Sequence, residues 1–260
     1  MADIFEEIVR VRREGIGAAL ATVVMGEKGA PGKTGFRMLV YPDGRIMGTV
    51  GGGKLEAKVR EQAMRCLRDN KPSLLEYSLH EHGADAIGVL CGGKVMVFAE
   101  PIASRPKLYI FGGGHIGLSL AQFANTLEFM VVVLDDREEF ANQTRFPEAE
   151  VKCGDYVTMT RSVAFSDDDS VVIVTHGHEH DEVVLKECLT KATQPKYIGM
   201  IGSKEKVDTT FIRLREQGIR EELLRKVKAP IGIKIGSRSP AEIALSIMAQ
   251  VVAVRHGKEL

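Results

Sequence analysis

KLYIFGGGHIG, residues 107–117, runs from an apolar strand into a glycine cluster that opens a helix. Gly112, Gly114 and Gly117 fit the spacing G-x-G-x-x-G. MVVVLD at 130–135 reads as the next strand and ends on Asp135, 23 residues after Gly112. Strand, glycine turn, helix, strand and terminal acid together meet the conditions for a dinucleotide-binding βαβ unit. Gly112 permits the tight turn, Gly114 lets a pyrophosphate approach the backbone, and Gly117 lets helix and strand pack closely. The helix N-terminus, opening at His115, offers free N–H groups and partial positive charge to phosphates. Asp135 is expected to accept from a ribose 2′-OH and to repel a 2′-phosphate, which favours NAD over NADP. The competing reading is a tight βα turn with no ligand.

Downstream, the alternation continues. EVKCGD at 150–155 holds a short strand, VVIVT at 171–175 another, and YIGMIG at 197–202 a further one. Helices are predicted through 183–189 and 203–218, the latter with Ser203 as N-cap. A last helix opens at Ser239, where S-P-A-E is a capping box with proline in the first helical position. Alternating strands and helices predict a Rossmann-like parallel α/β sheet over residues 105–260. Upstream, residues 1–104 read as a smaller α+β domain. An amphipathic helix carries Ile4, Ile8 and Val11, a strand follows in AALATVV, and the hairpin FRMLVY/RIMGTV turns at Pro42-Asp43-Gly44. A helix over 55–67 and the strands SLLEYSLH and KVMVFAEPI complete it. The segment between Pro101 and Pro106 reads as the linker.

Composition excludes several classes of function. Hydrophobic residues are 44% and charged residues 27% of the 260, which is globular rather than disordered. Lys+Arg and Asp+Glu are both 35, and no basic run stands out, so phosphate-driven nucleic-acid binding is not indicated. With aromatics at 6% and no Trp, a base-stacking platform is not indicated either. No stretch approaches the apolar length of a membrane span, and the charged start lacks a signal-peptide core, so a cytoplasmic protein is expected. The cysteines Cys66, Cys91, Cys153 and Cys188 form no C-x-x-C and suggest neither a zinc ribbon nor a disulfide framework.

Two features of the first half carry chemistry. Gly51-Gly52-Gly53-Lys54 joins a strand to a helix and can form an anion nest that Lys54 would strengthen. A sharp turn that needs positive φ explains one such glycine as well. Cys91 sits before two glycines, where a thiolate could bind a soft metal or accept sulfur. A buried, inert thiol is the alternative.

In the second half, THGHEHD places His176, His178 and His180 before Asp181. Imidazole and carboxylate suit zinc, iron or manganese. The spacing resembles the H-x-H-x-D-H pattern of metallo-β-lactamase-type hydrolases, with the aspartate out of place. In an extended loop the three histidines would share one side. The other readings are a polar loop that contacts a ligand, and a solvated loop in which Asp181 caps the next helix. The segments 112–115, 176–181 and 202–204 all follow strands and are expected to line one crevice, with Lys204 adding charge for an anion.

GFRMLVYPDGRIMGTVGGGKLE, GVLCGGKVMVFAEPI, LYIFGGGHIG, VTHGHEHD, YIGMIGSKEK and PIGIKIGSRSPAEIALSIMAQVV occur in this order and cover most of the chain. In these segments the sequence resembles the XdhC/CoxI family, accessory factors for xanthine dehydrogenase and related molybdenum hydroxylases. The resemblance implies a small N-terminal domain, a C-terminal Rossmann domain, and a role in binding, protecting, sulfurating and delivering molybdenum cofactor. It implies that molybdopterin, with its phosphate, meets Gly51, Gly52, Gly53 and Lys54, and that Gly112, Gly114, His115, Gly117, Asp135, His176, His178 and Ser203 lie at a second binding locus. Cys91 matches the family's C-G-G segment and is the implied metal ligand or sulfur-handling residue. Some members carry Cys where this chain has Lys54, which leaves Cys91 as the main thiol. A molybdenum hydroxylase and a cysteine desulfurase are the implied partners, and a homodimer is expected separately, as the commonest soluble assembly. Such a maturation factor is not a metabolic enzyme. The alternatives are an NAD-dependent oxidoreductase using a histidine of 176–180 as acid/base, and a metal-dependent hydrolase built on the histidines.

Overall fold

The computed structural model describes residues 3–27, 30–78, 93–102 and 105–258. The chain forms two compact units that divide after Arg105. In the first unit the elements run α1 (Ile4–Glu14), β1 (Ala18–Gly26), β2 (Arg37–Val40), β3 (Ile46–Gly48), α2 (Gly53–Asp69), β4 (Ser73–Ser78) and β5 (Lys94–Ile102). The strands make an antiparallel sheet in the order β3-β2-β1-β5-β4. Period-2 alternation divides its residues between two faces. Ala19, Ala21, Val23, Met38, Val40, Val95 and Val97 pack with Leu55, Val59, Ala63 and Cys66 of α2. Ala18, Leu20, Leu39 and Tyr41 pack with Val11 of α1 on the other face.

Local chemistry sets the ends of these elements. Asp3 caps α1 by accepting from the Phe5 N–H at 2.8 Å, and Gly15 stops it at φ 69°. The hairpin turns as expected, with the Tyr41 N–H donating to the Arg45 carbonyl at 2.9 Å and Gly44 at φ 80°. Pro101 lies inside β5 opposite Ala19, near the end of the predicted strand KVMVFAEPI. The β4 pairing ends at Ala99. Beyond that point β5 has one neighbour only, and a residue without an N–H is tolerated there.

The second unit contains β6 (Lys107–Phe111), α3 (His115–Thr126), β7 (Met130–Asp135), β8 (Glu150–Cys153), α4 (Tyr156–Ser162), β9 (Ser170–Ile173), α5 (His178–Leu189), β10 (Tyr197–Met200), α6 (Lys204–Glu216), α7 (Glu221–Leu224) and α8 (Pro240–Arg255). All five strands are parallel, in the order β10-β9-β6-β7-β8. Helices cover both faces, so β6, β7, β9 and β10 are buried almost throughout, as their apolar sequences require, while β8 at the edge is EVKC and partly exposed. Leu108, Ile110, Val131, Val133 and Val172 pack with Leu120 and Ala124 of α3 and with Ile247, Met248 and Val251 of α8. Tyr109, Phe111, Val132, Leu134, Val171 and Ile173 face Tyr156 of α4, Val184 and Leu185 of α5, and Val207 and Leu214 of α6. The capping box of α8 is complete, with Ser239 and Glu242 bonding reciprocally.

Two helices are not announced by the sequence. The single turn of α7 is one; the other is α4, where Asp155 accepts from the Thr158 N–H at 2.8 Å. A third difference bears on the site. α5 begins at His178 with Gly177 as N-cap, so His178 and His180 are helical and Asp181 does not cap.

Candidate functional site

In the second unit β6 lies between β7 and β9, and the chain fills one side of β6 before crossing to the other. An open parallel sheet has its crevice at this switch point, outside the carboxyl ends of the strands. Three segments meet there: the glycine loop after β6, residues 135–137 after β7, and residues 174–181 after β9.

Each glycine of the loop is held differently. Gly112 has φ 115°, and a Cβ there would stand 2.3 Å from the Val174 carbonyl oxygen, so the loop lies directly against the exit of β9. A Cβ on Gly113 would meet the Phe140 carbonyl oxygen at 2.2 Å. A Cβ on Gly117 would meet the Gly112 carbonyl oxygen at 2.0 Å, which is how closely α3 approaches the turn. Gly114 is the exception. It is the N-cap of α3 without a side-chain cap, and nothing lies within 4 Å of a Cβ placed on it. His115 follows it, exposed at the first helical position. Arg145 steadies the turn, its Nε donating to the Gly113 carbonyl at 3.0 Å.

Asp135, the acid expected at a ribose, has a fully buried side chain whose hydrogen bonds are made within the fold. One carboxylate oxygen accepts from the Gly113 N–H at 2.8 Å and from Arg137 Nη2 at 3.0 Å. The other accepts from the Arg137 N–H at 3.1 Å and Nε at 2.9 Å. Burial works against this charge, yet the hydrogen bonds from Arg137 and Gly113 outweigh it and hold the carboxyl below its ordinary pKa. The Arg137 guanidinium in turn lies 3.9 Å above the Phe140 ring centroid.

Asp136, one residue further on, turns to the histidines. His176 Nδ1 lies 3.6 Å from Asp136 Oδ1, and His180 Nε2 lies 4.0 Å from Asp136 Oδ2. The two imidazole rings stand 4.8 Å apart between centroids. One ligand atom from each of Asp136, His176 and His180 lies within 4.8 Å of the other two. Asp136 Oδ1 is buried and has no hydrogen-bond partner among the described residues. The Tyr156 ring packs on His180 at 5.3 Å, and its hydroxyl is likewise buried and unpartnered among those residues. Burial, with Asp135 and Asp136 nearby, pushes the Tyr156 phenol well above its usual value.

The row of three histidines predicted in a loop is therefore split. α5 starts early, and His180 in its first turn meets His176 just ahead of the N-cap, while His178 lies outside the cluster. His178 is mostly exposed, with Nδ1 4.0 Å from Asp181 Oδ2. Asp181 accepts from the Thr175 N–H at 3.1 Å and its hydroxyl at 2.6 Å, which ties the exit of β9 to α5. Burial pushes its pKa up to about 6. Ser203 caps α6 as expected, accepting from the Lys206 N–H at 3.4 Å. Asp136, Arg137 and Tyr156 were not singled out by the sequence. The visible signal was the doubled acid in VLDDR.

In the first unit Gly51, Gly52 and Gly53 have φ of 129°, 77° and 58°. Gly51 is fixed by contact, since a Cβ there would lie 2.8 Å from the Gly32 nitrogen. At Gly52 and Gly53 nothing lies within 4 Å of such an atom. Gly52 is the N-cap of α2 without a side-chain cap, and Lys54 is exposed in the first turn. The Glu56 carboxylate accepts from the Thr49 hydroxyl at 2.6 Å, which puts a negative charge at the same helix end. Cys91 lies outside the described residues. Of the other cysteines, Cys66 and Cys188 are buried and Cys153 is exposed. Burial raises the thiol pKa of Cys66 and of Cys188.

A Rossmann unit joined to a small antiparallel domain defines the class. Residues 108–251 match the XdhC Rossmann domain, and residues 11–78 match the XdhC and CoxI family. The chain belongs to the XdhC/CoxI family. It is 32% identical to the protein YqeB of Escherichia coli over 98% of its length and 46% of that protein's. It is 27% identical to a probable xanthine dehydrogenase subunit of Bacillus subtilis, over 61% of this chain and 46% of that one. Thus it spans about half the length of these two curated relatives. The molybdenum cofactor insertion chaperone PaoD of Escherichia coli is 24% identical over 96% of this chain and 87% of that one. A crystal structure of a xanthine dehydrogenase from Bacillus halodurans shares the fold, with a TM-score of 0.53 and 22% identity over 100% of this chain and 97% of that one. No helix among the described residues is long and apolar enough to cross a membrane.

Proposed function

We propose that the chain is an accessory factor that binds molybdenum cofactor, protects it, supports its sulfuration and delivers it to xanthine dehydrogenase or a related molybdenum hydroxylase. One observation carries this reading: the similarity to a molybdenum cofactor insertion chaperone extends over 96% of this chain. The local chemistry supports it. Molybdopterin bears a phosphate, and two helix N-termini present backbone N–H groups with no side chain in the way, at Gly114 and at Gly52–Gly53. Cys91 is the thiol assigned to the molybdenum or to sulfur handling. A cysteine desulfurase as sulfur donor and a homodimer as the working assembly belong to the same proposal. The chain's own task is to bind, protect and hand over the cofactor.

The test is pterin released from protein purified anaerobically from cells that make molybdopterin, oxidised and measured by fluorescence. A stoichiometric signal that falls in Cys91→Ala or Gly52→Val is the expected result. Absence of pterin from folded wild-type protein overturns the reading.

A further inference from the structure

We propose that Asp136, His176 and His180 form a binding site for a divalent first-row transition metal at the switch-point crevice of the Rossmann unit. The three side chains come from the exits of two different strands, β7 and β9, and from the first turn of α5. Their ligand atoms converge within 4.8 Å. The distances from Asp136 to the imidazole nitrogens, 3.6 and 4.0 Å, are too long for hydrogen bonds. They are close to the edge of a coordination polyhedron, since ligands about 2.1 Å from one tetrahedral ion stand about 3.4 Å apart. The widest separation in the set, 4.8 Å, exceeds that edge by about 1.4 Å, and rotation of the side chains has to close it.

A second observation points the same way. Asp136 Oδ1 is buried beside His176 without a hydrogen-bond partner among the described residues. A buried carboxylate oxygen left unpaired is costly and calls for a counter-charge. A divalent ion between the two imidazoles supplies it. Two imidazoles and one carboxylate select zinc, iron or manganese over calcium or magnesium, and three protein ligands leave positions open for an exogenous one. The site shares His176 with the second cofactor locus the resemblance implies, but it needs no pterin, and a metal-only titration tests it separately from that reading.

Cobalt(II) alone is a suitable probe. The full chain, stripped with a chelator, is titrated with Co²⁺ and followed by visible absorption and calorimetry, with circular dichroism to verify each variant's fold. One Co²⁺ per chain, displaced by Zn²⁺, is expected. Asp136→Asn, His176→Ala and His180→Ala should each weaken binding at least tenfold, and His178→Ala should leave it unchanged. Absence of stoichiometric Co²⁺ binding overturns the assignment. So does binding that survives His176→Ala and His180→Ala in folded protein, or an equal loss in His178→Ala.

Discussion

Replacing Gly117 by alanine sets two physical effects against each other. Gly117 lies inside α3, where a Gly→Ala change ordinarily stabilises by about 1 kcal/mol through backbone entropy. In this helix the new Cβ would stand 2.0 Å from the Gly112 carbonyl oxygen and 3.4 Å from Ile110 Cγ2. The oxygen cannot swing away. The Gly112 N–H donates to the Leu134 carbonyl at 2.8 Å, and a Cβ on Gly112 would stand 2.3 Å from the Val174 carbonyl oxygen, so the residue has little room to move on that side. Relief therefore requires α3 to withdraw by about 1 Å, loosening Leu120 and Ala124 in the core they share with α8. Overpacking that moves a whole helix belongs at the upper end of the usual range, about 3 kcal/mol. Subtracting the propensity gain leaves a net loss of about 2 kcal/mol, or about 4–8 °C in Tm for a unit of this size. Calorimetric unfolding of Gly117→Ala beside wild type measures it. Gly114→Ala is the companion: its Cβ meets nothing within 4 Å, so stability should change by under about 1 kcal/mol. An unchanged or raised Tm in Gly117→Ala would refute the packing argument.

Arg137→Ala should destabilise by about 2–4 kcal/mol in urea unfolding, because the buried Asp135 carboxylate loses both guanidinium donors and keeps only the Gly113 and residue-137 backbone N–H groups. Arg137→Lys should recover only part, since an ammonium cannot bridge both carboxylate oxygens as the planar fork does. In the first unit Gln62→Ala should cost about 1–3 kcal/mol by removing the acceptor of the buried Tyr77 hydroxyl, 2.6 Å away. A double-mutant cycle with Tyr77→Phe then returns a positive coupling, and additive losses would contradict the bond. Arg161→Ala should change stability by less than about 1 kcal/mol despite its two 2.8 Å contacts to Glu187, because the arginine is two-thirds exposed.

What the sequence made legible follows the range of the interactions involved. The parallel sheet announced itself because its central strands are buried on both faces and carry unbroken apolar runs, as in Val131–Val132–Val133 and Val171–Val172–Ile173. The capping box of α8 and the turn at Gly44 are settled within four residues, and both appear where their spacing put them. The start of α5 was hidden. Gly177 caps it without a side chain, so the aspartate cap expected at Asp181 drew the boundary a full turn too late. β5 ends where KVMVFAEPI predicts, and Pro101 is tolerated in it because the β4 pairing has already stopped at Ala99.

The candidate site turns on a similar limit. Asp135 and Asp136 are neighbours of one type, and a fingerprint read from spacing assigns the functional role to the first. The strand alternates its side chains, so consecutive residues at its end face opposite ways. Asp135 falls on the inner side, where the Gly113 N–H and Arg137 wait, and it becomes part of the turn that holds the glycine loop. Asp136 falls on the outer side, toward two histidines that belong to a strand exit some forty residues later in the chain. Its partners exist only because β9 crosses over to the far side of β6 and α5 starts at His178. A one-residue change of side thus converts one carboxylate into scaffold and leaves the other facing the crevice with an unpaired oxygen. Exchanging their roles would require no new chemistry, only a slip of one residue in β7, and that slip would carry Leu134 from the face it shares with Tyr156 and Val184 to the one lined by Leu120 and Ile247. The register of β7 against β6 and β8 therefore fixes which aspartate is open to a ligand.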